Sequence, residues 1–346
     1  MTILVTGGAG FIGSNFIRNW MAETEEPVVN LDKLTYAGNL DNLRAVEQSS
    51  HYKFIHGDIA DAIRVRALLG DFGIRAIIHF AAESHVDRSI SGPMGFVDTN
   101  VVGTAHLLQA ALEHWQRGNP LTFLHVSTDE VFGSLEPDDP PFIETSPYRP
   151  NSPYAASKAA SDHLVRAYGE TYGLPVLISH CSNNYGPYHF PEKLIPLLIY
   201  NATNGRDLPL YGDGKQVRDW LYVADHCQAL RMILQGGVPG ETYNIGGGAE
   251  RQNIEVARSV CALLDDYVPL VDGSYSDQIV LVRDRPGHDR RYAISSAKLQ
   301  SDLGWSPTHS FEAGLAKTVQ WYLDHRHWTA MVTGGSYRDW VAEQYT

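Results

Sequence analysis

The chain has 346 residues, 43% hydrophobic and 19% charged, enough for one large domain or two modest ones around a sizeable core. Its 27 basic and 40 acidic residues leave a net charge of −13. That argues against a broad nucleic-acid surface, though not against a few arginines that hold a small anion. The start Met1-Thr2-Ile3-Leu4-Val5 lacks a basic leader pattern, and no apolar run nears the roughly 18 residues that span a bilayer. Cys181, Cys227 and Cys261 have neither paired nor metal-type spacing. The expectation is a cytoplasmic protein that uses no metal and binds neither membrane nor nucleic acid.

In chain order, Ile3-Leu4-Val5-Thr6 reads as a buried strand that runs into Gly7-Gly8-Ala9-Gly10-Phe11-Ile12-Gly13 and a helical pattern to about Met21. Strand, glycine turn and helix are the setting of a dinucleotide-binding loop, in which backbone N–H groups meet a pyrophosphate at the positive helix end. The glycine spacing is G-x-x-G-x-x-G, so Gly7, Gly10 and Gly13 are the candidates. A second strand, Val28-Val29-Asn30-Leu31-Asp32, ends in an acid about 20 residues further on, where a carboxylate bonds the ribose hydroxyls of NAD and repels the extra phosphate of NADP. The competing reading is a glycine-rich hairpin followed by an unrelated acid.

Lys53-Phe54-Ile55-His56-Gly57-Asp58 resembles a third strand. Asp58 either meets the adenine or caps the helix that begins near Asp61. Ala76-Ile77-Ile78-His79-Phe80-Ala81-Ala82 is continuously apolar, as in a strand covered on both faces. Glu83 to Ser89 follows as a polar loop at the carboxyl end of the sheet, where open α/β sheets hold ligands. A helix is expected from about Phe96 to Trp115, then a strand that ends in Ser127-Thr128-Asp129-Glu130. The next helical pattern carries Tyr154 and Lys158 on one face. A free phenol has a pKa near 10, and a neighbouring cation lowers it by about one to three units, so the pair can form a general base. Alone, that spacing also occurs by chance on surface helices.

After the strand Val176–His180, from Ser182, regular alternation gives way to segments punctuated by Pro and Gly. The basic side chains among them suit a nucleotide diphosphate. The expected fold is α/β, a Rossmann-type doubly wound parallel sheet with a smaller mixed carboxyl-terminal part. Residues 1–182 would form the dinucleotide domain and 183–346 the substrate domain, with crossovers between them allowed.

With these motifs in place, the chain resembles the extended short-chain dehydrogenase/reductase family over nearly its whole length. Within it, Ser127 to Gly133, Glu83 to Ser89, Cys181 to Tyr188 and Asp284 to Arg291 look most like the branch that dehydrates nucleotide sugars. The resemblance implies dTDP-glucose as substrate, NAD as a recycled cofactor, a homodimer, and a place in deoxysugar synthesis of the rhamnose type. It also implies that Tyr154, with Lys158 and Thr128, takes the proton of the sugar 4-hydroxyl as hydride leaves carbon 4. Glu130 would then remove the carbon 5 proton, Asp129 would protonate the departing 6-hydroxyl, and the hydride would return to carbon 6. Neighbouring strand residues face opposite ways, so both acids can act only if the strand ends near Thr128.

Further positions carry over from the resemblance. Phe11, Ile12, Asp32, Lys33, Leu34, Thr35, Asp58, Ile59, Ala81, Ala82, Ser84, Thr99, Tyr154, Lys158 and Asn184 match the cofactor site. Ser84, Thr128, Asn183, Lys193, Leu194, Pro209, Tyr211, Arg218, Asn253, Arg285 and His288 match the substrate site. Rival readings are a nucleotide-sugar 4-epimerase, a glucuronate decarboxylase, or a non-catalytic NAD sensor. An epimerase has no use for an acid pair beside Thr128, and a decarboxylase has none for Asp129. The base of the nucleotide is not readable, and the tail from about Gly334 carries no usable motif.

Overall fold

The computed structural model describes residues 1–334, so the tail lies almost wholly outside the described residues. The chain begins β1 (Thr2–Thr6), α1 (Phe11–Glu23), β2 (Val28–Asp32) and β3 (Tyr52–His56). Then come α2 (Ala62–Asp71), β4 (Ile74–His79), α3 (Val86–Ser91), α4 (Pro93–Phe96), a π-helical turn (Val97–Gly103) and α5 (Thr104–Gln116). Next are β5 (Thr122–Thr128), a 3-10 turn (Asp129–Phe132), α6 (Pro153–Tyr172) and β6 (Val176–Cys181). Beyond these lie β7 (Asn183–Tyr185), α7 (Leu194–Thr203), β8 (Leu208–Tyr211), β9 (Val217–Tyr222), α8 (Val223–Gly236) and β10 (Thr242–Ile245). β11 (Glu250–Gln252), α9 (Asn253–Tyr267) and β12 (Ile279–Val282) follow.

Seven strands form one parallel sheet in the order β10-β6-β5-β4-β1-β2-β3. Both faces of the central strands are covered, which is why β1 and β4 read as apolar runs, whereas the edge strand β3 is only partly buried. Ile3 and Val5 point into the core packed by Phe16, Trp20, Leu230 and Ile233, whereas Leu4 points into the one built with Leu107, Leu108 and Val165. β10 lies far beyond Ser182, yet it pairs with β6 from Thr242↔Ile178 to Ile245↔Cys181. The chain therefore returns to finish the dinucleotide sheet. A third core around Tyr185, Ile195, Leu198, Trp220, Val256 and Val260 supports the small sheets β11-β9-β7 and β12-β8.

Three local expectations change. β3 ends at His56, and the cap of α2 is Asp61, whose side chain accepts from the Arg64 N–H at 3.0 Å, not Asp58. The polar loop is partly helical, because His85 caps α3 by accepting from the Arg88 N–H at 3.4 Å. The single helix from Phe96 to Trp115 is broken by the π turn. There Asn100 is drawn inward: its side chain accepts from the Glu83 N–H at 2.9 Å and donates to Ser157 Oγ at 2.8 Å.

Candidate active site

The carboxyl ends of the parallel strands open into one cleft, as expected for an open α/β sheet. Its floor is the glycine loop. Gly7 has φ +71°, and a Cβ there would lie 2.6 Å from Ala81 N; one on Gly13 would lie 2.4 Å from Gly7 O. These two positions admit only glycine. Side chains at the end of β2 hold the loop: Asn30 Oδ1 accepts from Gly8 N–H at 3.1 Å and Asp32 Oδ2 from Ala9 N–H at 2.8 Å. Helix α1 begins with neither a side-chain cap nor an acid in its first turn, so its N–H groups face the cleft as an anion site. Asp32 Oδ1 accepts from Leu34 N–H at 2.8 Å, which fixes the left-handed Leu34 (φ +55°). Burial pushes the Asp32 carboxyl up, and those backbone bonds oppose the rise.

The lining of the cleft includes Gly7, Gly10, Phe11, Ile12, Gly13, Asp32, Lys33, Thr35, Asp58, Ile59, Ala81, Ala82, Ser84, Thr99 and Asn184. Leu34, also expected there, is absent from that lining, and its N–H is taken by Asp32. Lys33 Nζ and Asp58 pair at 2.7 Å near the rim. A glycine cradle, an open helix end and an acid at the tip of β2 are the parts that a dinucleotide needs, so the residues present fit NAD.

The opposite wall holds the chemistry. β5 ends at Thr128 and the chain turns at once, so Asp129 and Glu130 are no longer alternate strand positions. The Thr128 hydroxyl accepts from Glu130 N–H at 3.3 Å. Asp129 is 2% exposed; Oδ1 accepts from Thr128 Oγ1 at 3.4 Å, and Oδ2 has no partner. Burial, then the charges of Glu130 and Asp219, push its carboxyl well above the usual range. Burial also raises Glu130, but Arg285, Arg218 and Lys193 pull it back.

Tyr154 and Lys158 ride on α6, which is started by Ser152 (accepting from Ala155 N–H at 3.1 Å) and Pro153 and stopped by left-handed Gly173. The Lys158 ammonium is tied to β5. Its Nζ donates to Val126 O at 2.9 Å, and burial followed by Glu130 pushes Tyr154 well above its ordinary value. A hydrogen bond with Thr128 works in the opposite direction.

Thr128, Asn183, Lys193 and Leu194 also line the cleft, with Lys193 Nζ donating to Ser84 O at 2.9 Å. The remaining substrate candidates lie on the second lobe. Asp87, a residue of the polar loop not singled out from the sequence, gathers two of them: Arg285 Nη1 donates to its Oδ1 and Tyr211 Oη to its Oδ2, each at 3.2 Å. His288 packs edge-on to Tyr211 and sits 2.6 Å from Asp284. Arg218 is 5% exposed and stacks over Tyr292 at 4.3 Å, with donors on the carbonyls of Val217 and Asp289. Pro209 is paired with Val280 in the small sheet, away from the cleft lining. Asn253 opens α9 with its buried Oδ1 unpartnered. Glu192, 4% exposed and bonded by Tyr36 Oη at 3.0 Å, is a second residue that the motifs did not mark.

A dinucleotide cradle faced by a Tyr-x-x-x-Lys helix defines the short-chain dehydrogenase/reductase class, and the second lobe is the mark of its extended branch. The family model described as GDP-mannose 4,6 dehydratase matches residues 4–318. A dTDP-glucose 4,6-dehydratase of Xanthomonas campestris pv. campestris is 58% identical, over 97% of both chains. One of Salmonella typhimurium is 52% identical over 100% of this chain and 99% of that one. The solved dTDP-glucose 4,6-dehydratase DesIV of Streptomyces venezuelae, with NAD and dTDP bound, superposes with a TM-score of 0.89 at 48% identity, covering 96% of this chain and all of that one. The chain belongs to the dTDP-glucose 4,6-dehydratase family.

Proposed function

We propose that this protein converts dTDP-glucose to dTDP-4-keto-6-deoxyglucose and water. One observation carries the reading: Asp129, a sealed acid whose carboxyl is pushed well above the usual range, stands beside Glu130, which Arg285, Arg218 and Lys193 face, on the turn that follows Thr128. Such a division lets one carboxyl donate a proton while its neighbour accepts one. NAD supplies the hydride acceptor and donor, and the positive charge of its oxidised ring favours a phenolate. Gly7, Gly10, Gly13 and Asp32 hold it. Tyr154, helped by Thr128 and the charge of Lys158, takes the proton from the 4-hydroxyl. Glu130 takes the carbon 5 proton, which the new ketone acidifies, and Asp129 protonates the 6-hydroxyl so that water departs. Lys193, Arg218 and Arg285 meet the diphosphate, with Tyr211, Asn253 and His288 around the nucleotide.

On this reading residues 1–182 chiefly serve the cofactor and 183–346 the nucleotide sugar. The protein is cytoplasmic, in keeping with three buried free cysteines, and supplies a deoxysugar route such as that to rhamnose. It works as a homodimer through α5, α6 and the π turn before α5, where Val97, Val102 and Tyr172 are exposed. Among the described residues no helix is long and apolar enough to cross a membrane, and no cluster could hold a metal ion. The test offers the purified protein dTDP-, UDP-, GDP- and CDP-glucose. Loss of one water by mass spectrometry, with the alkaline absorbance of a 4-keto sugar and preference for dTDP-glucose, is expected. A carbon 4 epimer that retains its water, or turnover of a glucuronate alone, overturns the reading.

A further inference from the structure

The proposed chemistry uses Lys158 but leaves a buried carboxylate behind it without a task. We infer that Asp162 is the counter-charge of Lys158, a positioning residue that keeps the lysine cationic at the back of the base helix. The inference rests on the reading of Lys158 as part of the site.

The two residues lie one turn apart on α6, at 4% and 1% exposure. His125 of β5 stands between them, its Nε2 3.4 Å from Lys158 Nζ and 3.2 Å from Asp162 Oδ1. On the other oxygen, Oδ2 accepts from Ser127 Oγ at 2.9 Å and Tyr148 Oη at 3.1 Å, and lies 3.0 Å from His180 Nε2. His180 is anchored in turn, its Nδ1 3.2 Å from Asn244 Oδ1 on β10. So many partners on one sealed carboxyl mark it as an ionised group whose charge the fold maintains.

The groups around the pair come from every neighbouring element: His79 from β4, His125 from β5, His180 and Cys181 from β6, Tyr148 from the loop before α6, and Tyr154 from α6 itself. Burial keeps His79 and His125 neutral, and keeps Cys181, Tyr148 and Tyr154 protonated. Val126 O offers the ammonium a dipole but no charge. An ammonium sealed from water with no anion nearby sheds its proton, and Asp162 is the anion that opposes this.

Asp162→Asn keeps the shape and deletes the charge. Single-turnover absorbance of reduced nicotinamide with dTDP-glucose, followed from pH 6 to 10, reads the step that Lys158 serves. The rate should fall at least tenfold at pH 8, and its alkaline limb should move down by about one pH unit or more. Thermal melts of Asp162→Asn, Lys158→Met and the double variant need no substrate, so they stand apart from the proposed reaction. Each single change strands a buried charge, and the double change strands none, so the double variant should melt above the less stable single. If Asp162→Asn does not fold, the double variant should restore a folded chain. An alkaline limb unmoved in a folded Asp162→Asn, or a double variant no more stable than the weaker single, overturns the assignment.

Discussion

Asp129 and Glu130 are chain neighbours on one 3-10 turn, yet their carboxyl groups meet unequal surroundings. Asp129 is closed off with one oxygen bare and carboxylates nearby, whereas Glu130 faces Arg285, Arg218 and Lys193. The inequality predicts that substitutions at the two sites fail at different points. Asp129→Asn should still oxidise carbon 4 and exchange deuterium into carbon 5 in heavy water, but stall before water loss. Glu130→Gln should show reduced nicotinamide with little exchange. Each should lose on the order of a hundredfold or more in turnover. Rapid-quench mass spectrometry distinguishes them, and equal exchange in both variants would mean that the roles are misassigned.

Tyr154→Phe removes the proton acceptor for the first oxidation. Turnover should drop roughly a hundredfold to ten-thousandfold, while affinity for the nucleotide sugar changes little. Retention of more than about a tenth of the activity would rule out the general-base role, since that loss lies below the range for a positioned base.

Arg218→Ala should raise the KM for dTDP-glucose far more than it lowers kcat, because a contact with the diphosphate counts equally in ground and transition states. The guanidinium also packs on Tyr292, so a melt of the variant is needed to separate lost binding from lost packing. Collapse of kcat at constant KM would place Arg218 in the chemistry instead.

Burial pushes the His125 imidazole down to about 4. An unfolded His titrates near 6.5, so the unfolded chain binds this proton first as the pH falls. The contribution is complete above about pH 6.5 and is lost towards pH 4, a change of about 3 kcal/mol. Urea melts of the natural chain and of His125→Asn, compared at pH 7.5 and 4.5, check the sign. The stability gap between them should narrow on acidification, and a constant gap refutes the shift.

Which parts of this were legible in the sequence follows from the range of the interactions. Gly7, Gly13 and Asp32 could be read because backbone conformation and one short connection decide their role. Tyr154 and Lys158 were visible as a helix pair, but the direction of the phenol shift was not. It depends first on burial and then on Glu130, which are matters of packing. The same limit hid Asp87, whose partners Tyr211 and Arg285 come from the second lobe, and Asp162, which is joined to two strands at once. The break at Val97–Gly103 escaped periodicity because Asn100 is held by Glu83 and Ser157, neither of which is local to that helix.

The pairing of β10 with β6 also has a consequence for how the molecule is made. Synthesis runs from the amino terminus, and the sheet that holds the cofactor loop stays one strand short until Ile245 has left the ribosome. Until then β6 presents a bare edge, and the face of α1 that packs on Leu230 and Ile233 has no cover. Exposed strand edges and apolar faces are what chaperones hold and what drives aggregation. A fragment stopped at Ser182 should therefore collect as inclusion bodies, although it contains the whole glycine loop and every proposed catalytic side chain.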